Sequence, residues 1–265
     1  MGMFFTIQSV MAPPPPPPPT PWTPTELPGE LQVVTKYLIG TLINHTVVIP
    51  TNTTNVVYNY AVNWGDGSPL TYVLYSGAPG KAHTYESNGS FTITLIVCDG
   101  KPGVLDMGVT GGVALFFDRI ERVSNWGTPN LTQLRSRLGF PSSIPSTPLP
   151  DTMIDMIEMF YQANLTSIPS VLFDNINPDG TSISMKSMFA SSSLTSIPTG
   201  LFVKESYNVP ISSLESMFEG CSGIVSDVPE LWNIAEYEAI THTNCFKGCV
   251  NASNYASIPN SWKGL

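Results

Sequence analysis

Apolar residues concentrate in three stretches of the first half of the chain, Val47-Val48-Ile49, Val56 to Val62 and Phe91 to Val97, and alternate with polar ones most clearly in the last. β-branched and aromatic residues dominate them, and clusters such as Pro50-Thr51-Asn52 and Glu86-Ser87-Asn88-Gly89 bound them. A period of two between turn-forming residues predicts short half-buried strands. Several such strands in succession over 31–118 predict a β-sandwich.

From about residue 119 the pattern becomes an internal repeat. Met159-Phe160, Met188-Phe189, Met217-Phe218 and Cys245-Phe246 recur at spacings of 29, 29 and 28 residues. Each pair is followed by a second block: Leu165 to Pro169, Leu194 to Pro198, Ile224 to Pro229, and Tyr255 to Pro259. An aromatic residue closes each copy, at Phe173, Phe202, Trp232 and Trp262. One copy cannot bury its own apolar face, so neighbouring copies must stack into a shared core. Met156, Met159 and Phe160 stand at helical spacing, as do Met185, Met188 and Phe189, and Leu214, Met217 and Phe218. Asp155, Ser184 and Ser213 precede them as N-cap candidates, so a short helix is expected to open each unit. A degenerate first turn is expected near Leu131 to Pro145.

Before both modules lies a segment, residues 1–30, with an unbroken proline run from Pro13 to Pro19: Pro13, Pro14, Pro15, Pro16, Pro17, Pro18 and Pro19. Proline fixes φ and removes the amide donor, so this stretch is expected to be an extended polyproline II arm. With Trp22 it is the candidate element for docking on neighbouring subunits. The fold expected is thus mainly β with short helices. An extended proline-rich arm over 1–30 precedes a β-sandwich over 31–118 and a leucine-rich-type α/β solenoid over 119–265.

Charge narrows the partners. Eleven Lys and Arg against 20 Asp and Glu leave a net charge of −9, which removes the electrostatic footprint that nucleic-acid binding requires. No apolar run approaches the about 20 residues that span a bilayer. The opening residues lack the basic start and apolar core of a secretory signal. Chemistry is equally sparse. The three histidines, His45, His83 and His242, form no metal or hydrolase motif with neighbouring residues. Asn175 to Gly180 imitates the start of a calcium loop, but Lys186 occupies the twelfth position, where a bidentate Glu is needed. Cys245 and Cys249 have metal-like spacing with no second pair of ligands, so Cys98, Cys221, Cys245 and Cys249 read as buried free thiols. A bridge between Cys221 and Cys249, one unit apart, is the alternative. Cofactor, metal and catalytic residues are expected to be none. Binding is expected on loops, at Tyr72 to Lys81 and Tyr207 to Ser212.

Two resemblances extend this reading. Trp64-Gly65-Asp66-Gly67, then His83-Thr84-Tyr85, then Gly89-Ser90-Phe91 resembles the PKD-like domains over residues 47–97. The repeats, with Met159, Phe160, Met188, Phe189, Met217, Phe218 and Phe246 at their motif positions, resemble BspA-like leucine-rich repeats of bacterial surface proteins. Val123 to Gly127 looks like the joint between the two modules. The resemblance implies adhesion or surface presentation, in bacterial surface proteins or in phage virion proteins, with no catalytic residues to transfer. The function expected is a non-enzymatic virion structural protein, a capsid decoration or tail component. Its partners would be other proteins of the same particle, held through the arm, with a host-surface glycan or protein as a further partner and homo-oligomer formation expected. A bacterial cell-surface adhesin or glycan-binding surface protein is the alternative, located extracellularly at the cell surface.

Overall fold

In the computed structural model the described residues are 30–36, 46–48, 57–75, 82–86, 90–97, 103–106, 120–126, 131–135, 141–153, 155–176, 182–203 and 209–265. The expected arm, Pro13 to Pro19 and Trp22 included, lies outside them except for Glu30, which begins a strand, and Cys98 and the end of the calcium-like loop at residues 177–180 lie outside them too. The described chain is mainly strands with a few short helices.

Strands β2 (Thr46–Val48), β3 (Val57–Asn63) and β6 (Ser90–Val97) form at the three stretches read as strands in the sequence, whereas β1 (Glu30–Lys36), β4 (Thr71–Tyr75), β5 (Ala82–Thr84) and β7 (Gly103–Asp106) form outside them. β8 (Ile120–Trp126) and β9 (Leu131–Arg135) come after it. The main sheet has the order β4-β3-β6-β1-β8, while β2 pairs with β5 and β7 pairs with β9. Alternation sets the faces. Val62, Ile93 and Leu95 enter the large core with Val47 and Tyr85, whereas Ala61 and Ile96 form a small cluster on the opposite face with Leu70 and Tyr72. Part of the stretch expected as a binding loop, 72–75, is therefore strand β4. The strand that opens the 119–265 segment pairs with β1, so the sheet runs past residue 118.

β8 also joins the two halves. The Val123 amide donates to the Ser143 carbonyl at 3.2 Å, and Trp126 Nε1 donates to the Thr147 carbonyl at 3.2 Å. The Trp126 ring meets Phe160 edge-on, with centroids 6.0 Å apart, and one buried cluster runs from Val47 to Trp262.

The repeat units differ from expectation at their openings. No helix forms there. Asp155, Ser184, Ser213 and Thr241 instead pair in parallel from unit to unit, with β10 (Ile183–Ser184) and β11 (Ile211–Ser213) as the longest pieces. The capping chemistry survives without the helix: Asp155 Oδ1 accepts the Ile157 amide at 3.1 Å, and Ser213 Oγ accepts the Glu215 amide at 3.3 Å. Beyond these caps each unit continues as a train of tight turns. Met159 donates to Met156, Tyr161 to Glu158 and Ala163 to Phe160, at 3.1–3.2 Å. The intervening amides, of Met156, Glu158, Phe160 and Gln162, donate to Ser184, Lys186, Met188 and Ala190 of the next unit at 2.7–3.1 Å. Half of the amides thus close turns and half tie neighbouring units, which a helix could not do. Two residues per unit take left-handed backbone to allow it: Glu158 and Gln162, Ser187 and Ser191, Ser216 and Gly220, Asn244 and Gly248.

The helices lie late in the chain, as α1 (Ala235–Glu238) and α2 (Asn260–Lys263) with single 3-10 turns at Leu231–Asn233 and Tyr255–Ser257. In the second stretch expected as a binding loop, Val209 and Ile211 are buried and Ile211–Ser213 is β11. Leu131 to Pro145, read as a degenerate turn, holds strand β9 and the Ser143 bridge to Arg122.

Candidate functional site

Two constellations carry the distinctive residues of the chain. The first is the turn after β3. Gly65 and Gly67 have φ of 79° and 84°, and a side chain on Gly65 would collide with the backbone of Thr92. Between them Asp66 Oδ1 accepts the Ser68 amide at 3.0 Å, while Oδ2 faces His83 Nε2 at 2.7 Å. The His83 ring lies flat on Trp64, with centroids 4.9 Å apart, and meets Tyr85 edge-on at 4.7 Å. Trp64 is fully buried; its Nε1 donates to Thr71 Oγ1 at 2.8 Å, and Tyr85 donates to the Trp64 carbonyl at 2.8 Å. Phe91 stacks on Tyr85 at 4.1 Å. Residues 64–67, 83 and 85 therefore meet in one cluster, with His83 against Trp64 as the sequence reading places it.

Burial raises the Asp66 carboxyl, but hydrogen bonds from Ser68 and His83 and the charge of His83 outweigh it and hold the group at about 2. Asp66, Ser68 and His83 lie together, with the Ser68 amide and His83 on the same carboxylate, one oxygen each. The arrangement fastens the turn to β5.

The second constellation is the set of columns formed by equivalent repeat positions. Met159, Phe160, Met188, Phe189, Met217, Phe218 and Phe246 are all fully buried. Phe160, Phe189, Phe218 and Phe246 stack in sequence at 5.3, 5.5 and 5.7 Å, with Trp126 at one end and Trp262 at the other. Cys221, Cys245 and Cys249 are free thiols, and the bridge between Cys221 and Cys249 does not form. Cys221 Sγ donates to the Phe189 carbonyl at 3.1 Å and Cys249 Sγ to the Phe218 carbonyl at 3.2 Å. Burial pushes both thiols up, Cys249 to about 12. On the outside, Lys186 pairs with Glu215 and Lys247 with Glu219, each at 2.9 Å and each between adjacent units.

Sequence reasoning missed the Asp66–His83 pair and the left-handed positions. The recurrence of Gly220 and Gly248 at one repeat position was the available signal for the latter. Among the described residues no group of three His, Cys, Asp or Glu side chains is arranged to hold a metal ion, and no helix is long and apolar enough to cross a membrane. Comparison with protein-family models, with curated proteins and with solved structures finds no match to this chain.

Proposed function

We propose that this chain is a non-enzymatic structural protein of a virion, a capsid decoration or tail component. In this reading the sheet-forming residues from Glu30 to Trp126 form a PKD-like sandwich and the repeats a leucine-rich-type solenoid, which together present an outer surface. The N-terminal arm docks on neighbouring subunits. One observation carries the reading: the chemically distinctive side chains are engaged with one another. Asp66 and His83 hold a turn, the three described thiols are buried, and the Met and Phe columns fill the core. Such a body offers recognition surfaces and mechanical support rather than a reaction centre.

Deleting residues 1–29 and purifying particles from the native source tests it. The expected outcome is a folded, soluble remainder that no longer enters particles. Incorporation at the full-chain level, or a native source that yields the protein only outside particles, sinks the proposal.

A further inference from the structure

The ring column ends on α2. In the first three units the phenylalanine amide donates forward to the next unit: Phe160 to the Met188 carbonyl, Phe189 to Met217 and Phe218 to Cys245, at 2.7–2.9 Å. At Phe246 the acceptor is the Trp262 carbonyl at 3.0 Å, although Trp262 belongs to the same unit. The ring follows the backbone. Trp262 stacks on Phe246 at 6.1 Å with planes 22° apart, the relation that each earlier phenylalanine has with the next one at 5.3–5.7 Å. Its equivalents in earlier units are placed differently. Phe202 meets Phe218 edge-on at 6.3 Å, and Trp232 meets Phe246 edge-on at 6.2 Å. The fourth closing aromatic thus takes the seat of a fifth phenylalanine.

We propose that α2 is an autoinhibitory cap: Trp262 fills, from within the chain, the seat that an aromatic ring of a second copy would otherwise take. This goes beyond the virion reading and uses no residue of the arm.

A stack of like units exposes an apolar face at its end unless a cap with a polar outside covers it. An open apolar face of that kind is a site of association. Phe246 is already matched to a ring of its own sort on one side, with Phe218 at 5.7 Å and planes within 2°. Without the cap, two copies would present the same Phe246 face, and a self-complementary pair closes about a two-fold axis.

The contacts that hold the cap are local to this end. Trp262 Nε1 donates to Glu238 at 2.9 Å, and His242 lies flat on the ring at 4.3 Å. The Lys263 ammonium stands 5.0 Å from the centre of the Tyr255 ring. Gly264 closes α2 with φ of 72°, and a side chain there would collide with Asn244 Oδ1. All these partners lie in the fourth unit or just before it, so the cap can open while the first three units stay folded.

The test compares the full chain with its Trp262→Ala and Trp262→Phe variants, by hydrogen exchange of the Phe246 and Phe189 amides and by sedimentation. In Trp262→Ala the Phe246 amide should exchange about tenfold faster or more, while Phe189, two units inward, keeps the parent's rate. At raised concentration the mass of this variant should reach about twice that of the parent under the same conditions. Trp262→Phe restores a ring to the seat and should match the parent in both measurements. Loosening of Phe189 as large as that of Phe246 would make Trp262 a support of the whole array and overturn the cap. Unchanged protection of Phe246 overturns it too, as does a mass equal to the parent's at every concentration. A phenylalanine variant that behaves like the alanine one rejects the ring as the plug. Particle incorporation remains the separate check on the arm.

Discussion

Phe189 and Phe218 lie face to face, with ring centroids 5.5 Å apart and planes within 2°. Both side chains are fully buried, and the Phe189 amide donates to the Met217 carbonyl beside them at 2.9 Å. The contact therefore joins two units through ring and backbone at once. Phe218→Ala is expected to cost about 3–5 kcal/mol, the range for emptying a buried aromatic site. Lys186→Ala breaks a pair between Lys186 and Glu215 that is 45% and 36% exposed, and should cost at most about 1 kcal/mol. Urea unfolding followed by tryptophan fluorescence separates the two; equal costs would mean that the ring column does not hold the units together.

The left-handed positions give a test by sign. Ser216 has φ of 55° and carries a Cβ there, which costs about 1 kcal/mol relative to glycine. Ser216→Gly should raise the thermal midpoint by the backbone gain less the hydrogen bond that the Ser216 side chain makes to the Glu219 carboxylate. Gly248 has φ of 81°, and an added Cβ would also lie 3.2 Å from Gly220 Cα. Gly248→Ala should lower the midpoint by more than Ser216→Gly raises it. Two shifts of the same sign would show that backbone handedness does not govern these turns.

Those same residues explain where the sequence was readable and where it was not. Stacking of neighbouring units was legible because Phe160, Phe189, Phe218 and Phe246 repeat at nearly constant spacing and each must face its neighbour. The opening helix was a misreading with a physical cause. Apolar residues at 156, 159 and 160 satisfy helical spacing, and consecutive tight turns bring the same positions to one side. Glycine at 158 and 162 would have exposed the difference, but Glu158 and Gln162 occupy these left-handed sites. At the other site the Trp-Gly-Asp-Gly turn and the later His-Thr-Tyr were each visible. Pairing of Asp66 with His83 was not, because it depends on the approach of two segments that only β2, β5 and the sheet bring together.

Thiol chemistry gives a third expectation. Cys221, Cys245 and Cys249 are fully buried, and burial raises all three above the ordinary thiol range. Alkylation requires the thiolate and access to it. At neutral pH the native protein should leave these three residues unlabelled by iodoacetamide in a pulse, and unfolding in urea should expose them together. Peptide mapping resolves them individually. Labelling of Cys249 in the native state at the rate of an unfolded control would mean that the last unit is open to solvent.

Acid should weaken the turn after β3. The folded Asp66 carboxyl sits at about 2, below its ordinary value of 3.8, so the folded state binds this proton less readily than the unfolded chain does. A lowered carboxyl favours folding fully above its unfolded value, and that contribution fades as pH falls from about 4 towards 2. Asp66→Asn removes the titration while leaving an oxygen that can accept the Ser68 amide. The variant should thus be less stable than the parent near neutral pH and converge with it as pH approaches 2. Chemical unfolding at a series of pH values measures the gap. A constant difference between parent and variant across that range would show that the His83–Asp66 contact at 2.7 Å makes no ionic contribution to the fold.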